Sequence, residues 1–224
     1  MSYLKGHWQL IALTVIVFVL WGTPAVVPLK LLVVFFHELS HGLAAILTGG
    51  SVEQIAVDLR QGGLTLTRGG SRFLILTAGY LGSLVIGAGL LLIALRTRVD
   101  RAAVSGLGVV MLIVVVFYVR DFVTILICAS TGAALLAAGR FLSRSVCDLI
   151  LRVIGLSSLI YVPYDIFDDT LRRSFLQSDA RMLAEEIGGT TMLWGGVWLV
   201  IGLGVILACL RRGLGRDSNL RFGR

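Results

Sequence analysis

Long apolar runs separated by short polar or basic segments make up most of this 224-residue chain. A bilayer core about 30 Å thick is crossed by roughly 20 apolar residues in helical form. Runs of that length predict seven spans, although six or eight also fit because the two runs beside Arg120-Asp121 are short. The predicted spans are residues 8–25, 28–48, 73–95, 102–119, 122–138, 144–164 and 191–210. The pattern predicts an all-α polytopic membrane protein with about six or seven transmembrane helices.

Residues 51–72, after the second span, depart from this helical pattern. Apolar side chains alternate with small or polar ones over residues 55–59 and again over residues 64–67, with Gly62-Gly63 between them. A period of two on both sides of a Gly-Gly pair is typical of a β-hairpin. The segment is therefore predicted to form a short β-hairpin, and an exposed loop is the alternative.

Composition and charge support a membrane protein. Hydrophobic residues make up 57% of the chain and charged residues 15%, against about 45–50% and 25% in soluble domains. The 20 Lys and Arg residues exceed the 13 Asp and Glu residues, but they separate apolar segments instead of clustering on one polar face. We therefore expect a lipid bilayer as a partner and no nucleic acid. Residues 1–210 are predicted to form a single domain, and residues 211–224 a basic C-terminal tail.

The second predicted span contains an HExxH sequence, His37-Glu38-Leu39-Ser40-His41. Residues four apart lie on one face of a helix, so His37 and His41 can bind one metal ion. Glu38 is rotated about 100° from His37 and can reach a water molecule beside the ion without binding the ion itself. Neutral imidazoles suit Zn²⁺, which acidifies water that a carboxylate can then deprotonate. The alternative, a histidine pair that only packs against other helices, leaves Glu38 buried without a cation.

A catalytic zinc ion usually has three protein ligands. The remaining histidine, His7, lies near the N-terminus, so the third ligand is expected to be a carboxylate. Asp148 is predicted to form an ion pair with Arg152, four residues later. Asp165 follows a proline at the end of an apolar helix, where a loosened backbone can turn it inward. Asp179 opens a short helical stretch, where it can also act as an N-cap. Asp165 is the preferred third ligand and Asp179 the alternative. The other candidates are Asp121, Asp168 and Asp169.

The HExxH sequence lies within a longer pattern. It extends as FFHELSHGLAAILTGG over residues 35–50, and AGYLGS follows the hairpin-like segment at residues 78–83. Shorter matching segments are Ser178-Asp179-Ala180 and WGGVW at residues 194–198. In these segments the chain resembles the site-2 protease-like intramembrane zinc metalloproteases, in particular their small bacterial branch.

This resemblance implies a set of site residues. His37 and His41 would bind zinc, and Glu38 would be the catalytic base. The third ligand of the family is an aspartate in a Leu-Asp-Gly motif after a proline-containing stretch. This chain has Pro163-Tyr164-Asp165-Ile166 instead, without that glycine.

The resemblance also implies a function. We expect a multi-pass protein of the bacterial cytoplasmic membrane, a zinc metalloendopeptidase that hydrolyses peptide bonds in or near transmembrane segments of membrane proteins. A helical substrate must unwind before water can attack it, and a strand edge at residues 55–60 or 64–67 can accept the unwound peptide by β-augmentation. The alternative is a non-catalytic zinc-binding membrane scaffold, but an intact Glu38 favours the enzyme.

Overall fold

The computed structural model describes residues 3–173, 176–215 and 217–220. Within those residues the chain forms eight α-helices and one two-stranded sheet. The helices are α1 (Tyr3–Val19), α2 (Val27–Leu47), α3 (Arg72–Arg96), α4 (Asp100–Tyr118), α5 (Phe122–Phe141), α6 (Arg144–Phe167), α7 (Asp179–Ile187) and α8 (Thr191–Gly213). The strands are β1 (Ser51–Val57) and β2 (Gly63–Arg68). A 3₁₀ turn (Pro24–Val26) precedes α2, and a π-helical turn (Asp168–Arg172) follows α6.

Six helical segments in the described part of the chain are long and apolar enough to cross a membrane. They are residues 24–47, 72–96, 100–118, 122–141, 144–172 and 191–213. The predicted all-α polytopic fold is confirmed. Helix α1 is shorter than the first predicted span, with 17 residues. It ends at Val19 because Gly22 and Pro24 follow, and the residue before a proline is disfavoured in helical conformation.

Helices α2, α3 and α6 form the centre of the bundle. In an apolar window of 18 residues, the α2 and α6 spans are 61% buried and the α3 span is 50% buried, against 22% in α4, α5 and α8. A Cβ atom added at Gly155 of α6 would lie 2.8 Å from the carbonyl oxygen of Gly87 in α3, so these two backbones are in contact. Small residues allow such close approach of membrane helices. The segment that carries the HExxH sequence therefore lies inside the bundle.

The predicted hairpin is confirmed as an antiparallel pair. Val57 of β1 lies opposite Gly63 of β2, and Ile55 lies opposite Thr65. Ile55 and Val57 are buried, and both strands pack on α2. The Thr124 hydroxyl of α5 accepts the Val57 N–H at 2.9 Å and donates to the Val57 carbonyl at 3.0 Å. Helix α5 therefore covers the outer edge of β1, while no further strand pairs with β2 among the described residues.

A partly buried ion pair and residues 217–220 of the tail hold one end of the bundle together. The Arg152 guanidinium donates to both carboxylate oxygens of Asp148, at 2.6 and 3.1 Å, which confirms the predicted pair. Arg152 also donates to the Ser218 carbonyl. The Ser218 N–H donates to the Gly6 carbonyl at 2.8 Å, and the Ser218 hydroxyl lies 2.7 Å from His7 Nδ1. These contacts join α1, α6 and the tail.

Candidate metal centre

The two histidines of α2 point their Nε2 atoms toward the same space. They lie one helical turn apart, and their ring centroids are 4.6 Å apart. His41 Nδ1 lies 2.7 Å from the Ile75 carbonyl of α3. Because a carbonyl can only accept, Nδ1 carries the proton, and the Nε2 lone pair is left for a ligand bond.

Asp179 joins this pair from a distant part of the chain. Its Oδ2 atom lies 2.9 Å from His37 Nε2 and 3.2 Å from His41 Nε2. One donor atom from each of the three residues lies within 4.8 Å of the other two. Burial alone would raise the pKa of Asp179, but the proximity of His41 and His37 holds that pKa well below its usual range. The carboxylate is therefore anionic, as a metal ligand must be.

Helix α7 places Asp179 through its own N-terminal sequence. The Ser178 hydroxyl fills the N-cap position and accepts the Arg181 N–H at 3.3 Å. Because Ser178 makes the capping bond, the Asp179 side chain is free to turn toward the histidines. Ala180 and Leu183 are fully buried and fix the helix against the bundle.

Asp165 lines the same cavity but is not part of the three-residue cluster. Helix α6 continues through Pro163 to Phe167, and the Asp165 carboxylate lies 3.6 Å from the Arg173 guanidinium. Arg173 also pairs with Asp168 at 2.7 Å. The geometry therefore favours the alternative ligand, Asp179, over the preferred one, and Asp165 as a ligand stays a prediction.

The remaining candidate residues have other contacts. Asp121 is the N-cap of α5 and accepts the Thr124 N–H at 2.8 Å. Asp169 pairs with Arg173 at 3.0 Å and accepts the Tyr80 hydroxyl at 2.5 Å. His7 is bonded to the tail, as described above.

Glu38 lies beside the cluster and contacts the hairpin. Its side chain is buried. The Thr65 hydroxyl of β2 lies 2.7 Å from Glu38 Oε2 and 3.0 Å from the Glu38 carbonyl oxygen. Thr65 cannot be identified from sequence, because the fold is needed to show that this strand lies on α2.

Helix α3 supplies two further contacts that the sequence analysis did not identify. A Cβ atom at Gly79 would lie 2.5 Å from His41 Cε1 and 2.6 Å from His37 Cε1, so only glycine leaves room for both rings. The Tyr80 ring packs edge-on against His37, with centroids 4.8 Å apart. Both residues belong to the AGYLGS segment. Its glycines are the sequence feature that could have indicated a close contact with another helix.

The donor set fits a catalytic zinc site. Two imidazole nitrogens and one carboxylate oxygen are a ligand combination that zinc hydrolases use, with a further position left for water or substrate. His41 has the carbonyl partner on its other nitrogen that zinc-bound histidines usually have. The cluster and Glu38 border a cavity of about 430 Å³.

Comparison with known protein families matches residues 10–209 to the family described as Peptidase M50B-like. The match includes the HExxH helix, the hairpin and α7. No curated protein and no solved structure matches the chain significantly.

Proposed function

Because the chain belongs to the Peptidase M50B-like family, and is thus an integral multi-pass membrane protein of the site-2 protease type, we propose that it is a zinc metalloendopeptidase that cleaves peptide bonds in or near transmembrane segments. One observation carries this proposal. The Nε2 atoms of His37 and His41 converge on one oxygen of Asp179, beside Glu38.

His37, His41 and Asp179 are the proposed zinc ligands. Their three donor atoms are close enough to bind one ion, and the set contains one negative charge. A bound zinc ion supplies Lewis-acid chemistry, polarising the scissile carbonyl and acidifying water. Gly79 supports this assignment because its missing side chain leaves room for both imidazole rings.

Glu38 is the proposed general base. It is the carboxylate next to His37 in sequence, and its side chain lines the cavity that the three proposed ligands border. Its carboxylate takes a proton from the attacking water and later returns it to the leaving nitrogen. Thr65 donates to Oε2, and Oε1 lies against Gly63.

The outer edge of β2 is the proposed binding site for the unwound substrate. The Val57 N–H and carbonyl point to Thr124, away from β2, so Val57 and Gly63 form a pair without ladder hydrogen bonds. In an antiparallel ladder such pairs alternate, and the backbone groups of Gly63, Thr65 and Thr67 therefore point to the outer edge of β2. An extended peptide that pairs there replaces the hydrogen bonds of its former helix. Residues 61–67 line the same cavity as Glu38.

Glu38→Gln is the variant that tests this function. The detergent-purified full chain is loaded with zinc and assayed for zinc content and for cleavage of a peptide with one transmembrane segment. We expect about one zinc ion per chain in both proteins, and a loss of roughly 10²- to 10⁴-fold in kcat for Glu38→Gln because a general base contributes that much. Glu53→Gln, on the exposed face of β1, is the matched control and should cleave normally.

Equal rates for the wild type and Glu38→Gln, with zinc present in both, would contradict the proposal. That result would instead support a zinc-binding scaffold without catalytic activity.

A further inference from the structure

Strand β2 contacts Glu38 through a side chain. The Thr65 hydroxyl lies within hydrogen-bond distance of the Glu38 carboxylate at 2.7 Å and of the Glu38 carbonyl at 3.0 Å. Neither acceptor can donate, since the proposed base is a carboxylate, so the hydroxyl is the donor in both contacts. The side chain of the base is therefore held by a residue 27 positions away in sequence.

The same strand contacts Glu38 a second time through its backbone. A Cβ atom at Gly63 would lie 2.6 Å from Glu38 Cδ and 2.7 Å from Cγ, far inside ordinary contact distance. The absence of a side chain at Gly63 lets β2 lie directly on the carboxylate group. Glu38 is thus confined between Gly63 on one side and the Thr65 hydroxyl on the other.

These two residues also belong to the strand edge that we assign to the substrate. The ladder alternation points the N–H and carbonyl of Gly63 and Thr65 outward, while the Thr65 side chain points to Glu38. The backbone of Thr65 therefore lies at the proposed docking edge, and its hydroxyl contacts the proposed base, Glu38.

We propose that Thr65 is a positioning residue that orients the Glu38 carboxylate and connects it to the strand on which the substrate docks. This inference rests on the proposed function. A docked peptide holds β2 in place through the Thr65 backbone, and β2 in turn holds the base through the Thr65 hydroxyl. The hydroxyl is bonded to Glu38, so we expect its loss to lower kcat and to leave KM almost unchanged.

Two variants of Thr65 separate the hydroxyl from the shape of the side chain. Thr65→Val keeps the shape and removes the donor, and we expect kcat to fall about 10- to 100-fold, as for the loss of an outer hydrogen bond at a metal site. KM should stay within roughly twofold and zinc content should not change. Thr65→Ser keeps the donor and should recover most of the activity. Thr14→Val, whose hydroxyl donates to the Leu10 carbonyl within α1, is the matched control.

Wild-type kcat in Thr65→Val would overturn the inference, and so would an equal loss in Thr65→Ser and Thr65→Val. If Glu38→Gln is inactive in the same assay while Thr65→Val is normal, the inference fails and the proposed function stands.

An infrared measurement tests the inference without an activity assay. The four glutamates of the chain are labelled with ¹³C at the carboxylate, and the difference between wild-type and Glu38→Gln spectra identifies the Glu38 band. We expect this band to shift in Thr65→Val and to stay in place in Thr65→Ser and Thr14→Val. An unshifted band in Thr65→Val would overturn the inference, whether or not the wild type cleaves any peptide.

Discussion

At the scale of single residues, the contacts of each side chain decide whether its donor atom is free to bind a metal ion. His41 uses Nδ1 for a backbone carbonyl, which leaves Nε2 for the cluster. Asp179 is available because Ser178 caps α7 in its place. The Asp165 carboxylate, although it lies in the same cavity, is paired with Arg173. The proposed ligand set therefore depends on the neighbours of each group.

The aspartates can be distinguished by their effect on zinc affinity. Asp179→Asn removes the charge and weakens one proposed ligand, so we expect affinity to fall by more than about 100-fold, since even outer-sphere partners are worth 10- to 100-fold. Asp165→Asn should bind zinc with close to normal affinity. Competition with a chelator of known affinity measures both. The reverse order of affinities would assign the third ligand to Asp165.

The sequence was sufficient to predict the part of the candidate site that is local in the chain. His37, Glu38 and His41 follow from one helical turn of sequence. The choice between Asp165 and Asp179 depends on where α6 ends and on the position of Arg173, and neither follows from periodicity. Thr65 carried no signal, because a threonine in an alternating strand is ordinary.

At the scale of elements, the hairpin is the part of the fold whose position could not be predicted. Alternation around Gly62-Gly63 correctly predicted two paired strands. It did not show that α5 covers the outer edge of β1 through Thr124, because this contact joins residues 67 positions apart. The choice between the two predicted strand edges therefore came from the fold, and it favours residues 64–67 over residues 55–60.

A proline in β2 tests the docking edge. Thr67→Pro removes an N–H that points outward, so pairing with β1 should remain. Losing one hydrogen bond of about 1 kcal/mol to the substrate should raise KM roughly fivefold. Thr67→Ala retains the N–H and is the control. Steady-state kinetics measures both variants, and an unchanged KM in Thr67→Pro would argue against strand pairing at this edge.

At the scale of the whole molecule, a second polar structure lies away from the candidate centre. The Arg152 and Asp148 side chains are 5% and 17% exposed, and Arg152 also holds the tail through the Ser218 carbonyl. Their spacing of four residues on a helix made this pair predictable from sequence. The attachment of the tail to α1 could not be predicted from sequence, because it joins residues more than 200 positions apart.

Removing one partner of this pair should destabilise the protein. Arg152→Met leaves the partly buried Asp148 carboxylate without its guanidinium partner, so we expect a loss of at most about 3–5 kcal/mol. The double variant Asp148→Leu with Arg152→Met removes both charges and should recover most of the loss. Thermal unfolding in detergent measures the difference, with zinc content as a check on the distant site. A single variant as stable as the wild type would show that the pair is not needed.

The proposed ligand set has a consequence for biosynthesis. Two ligands lie on α2 and the third on α7, 138 residues later than His41, with four complete helices between them. A growing chain that has inserted its first helices still lacks the third proposed ligand. Without a complete metal site, Glu38 has no activated water to deprotonate. Under the proposed function, hydrolytic activity would begin only after most of the polypeptide has been synthesised, so an unfinished chain would not cleave neighbouring membrane proteins.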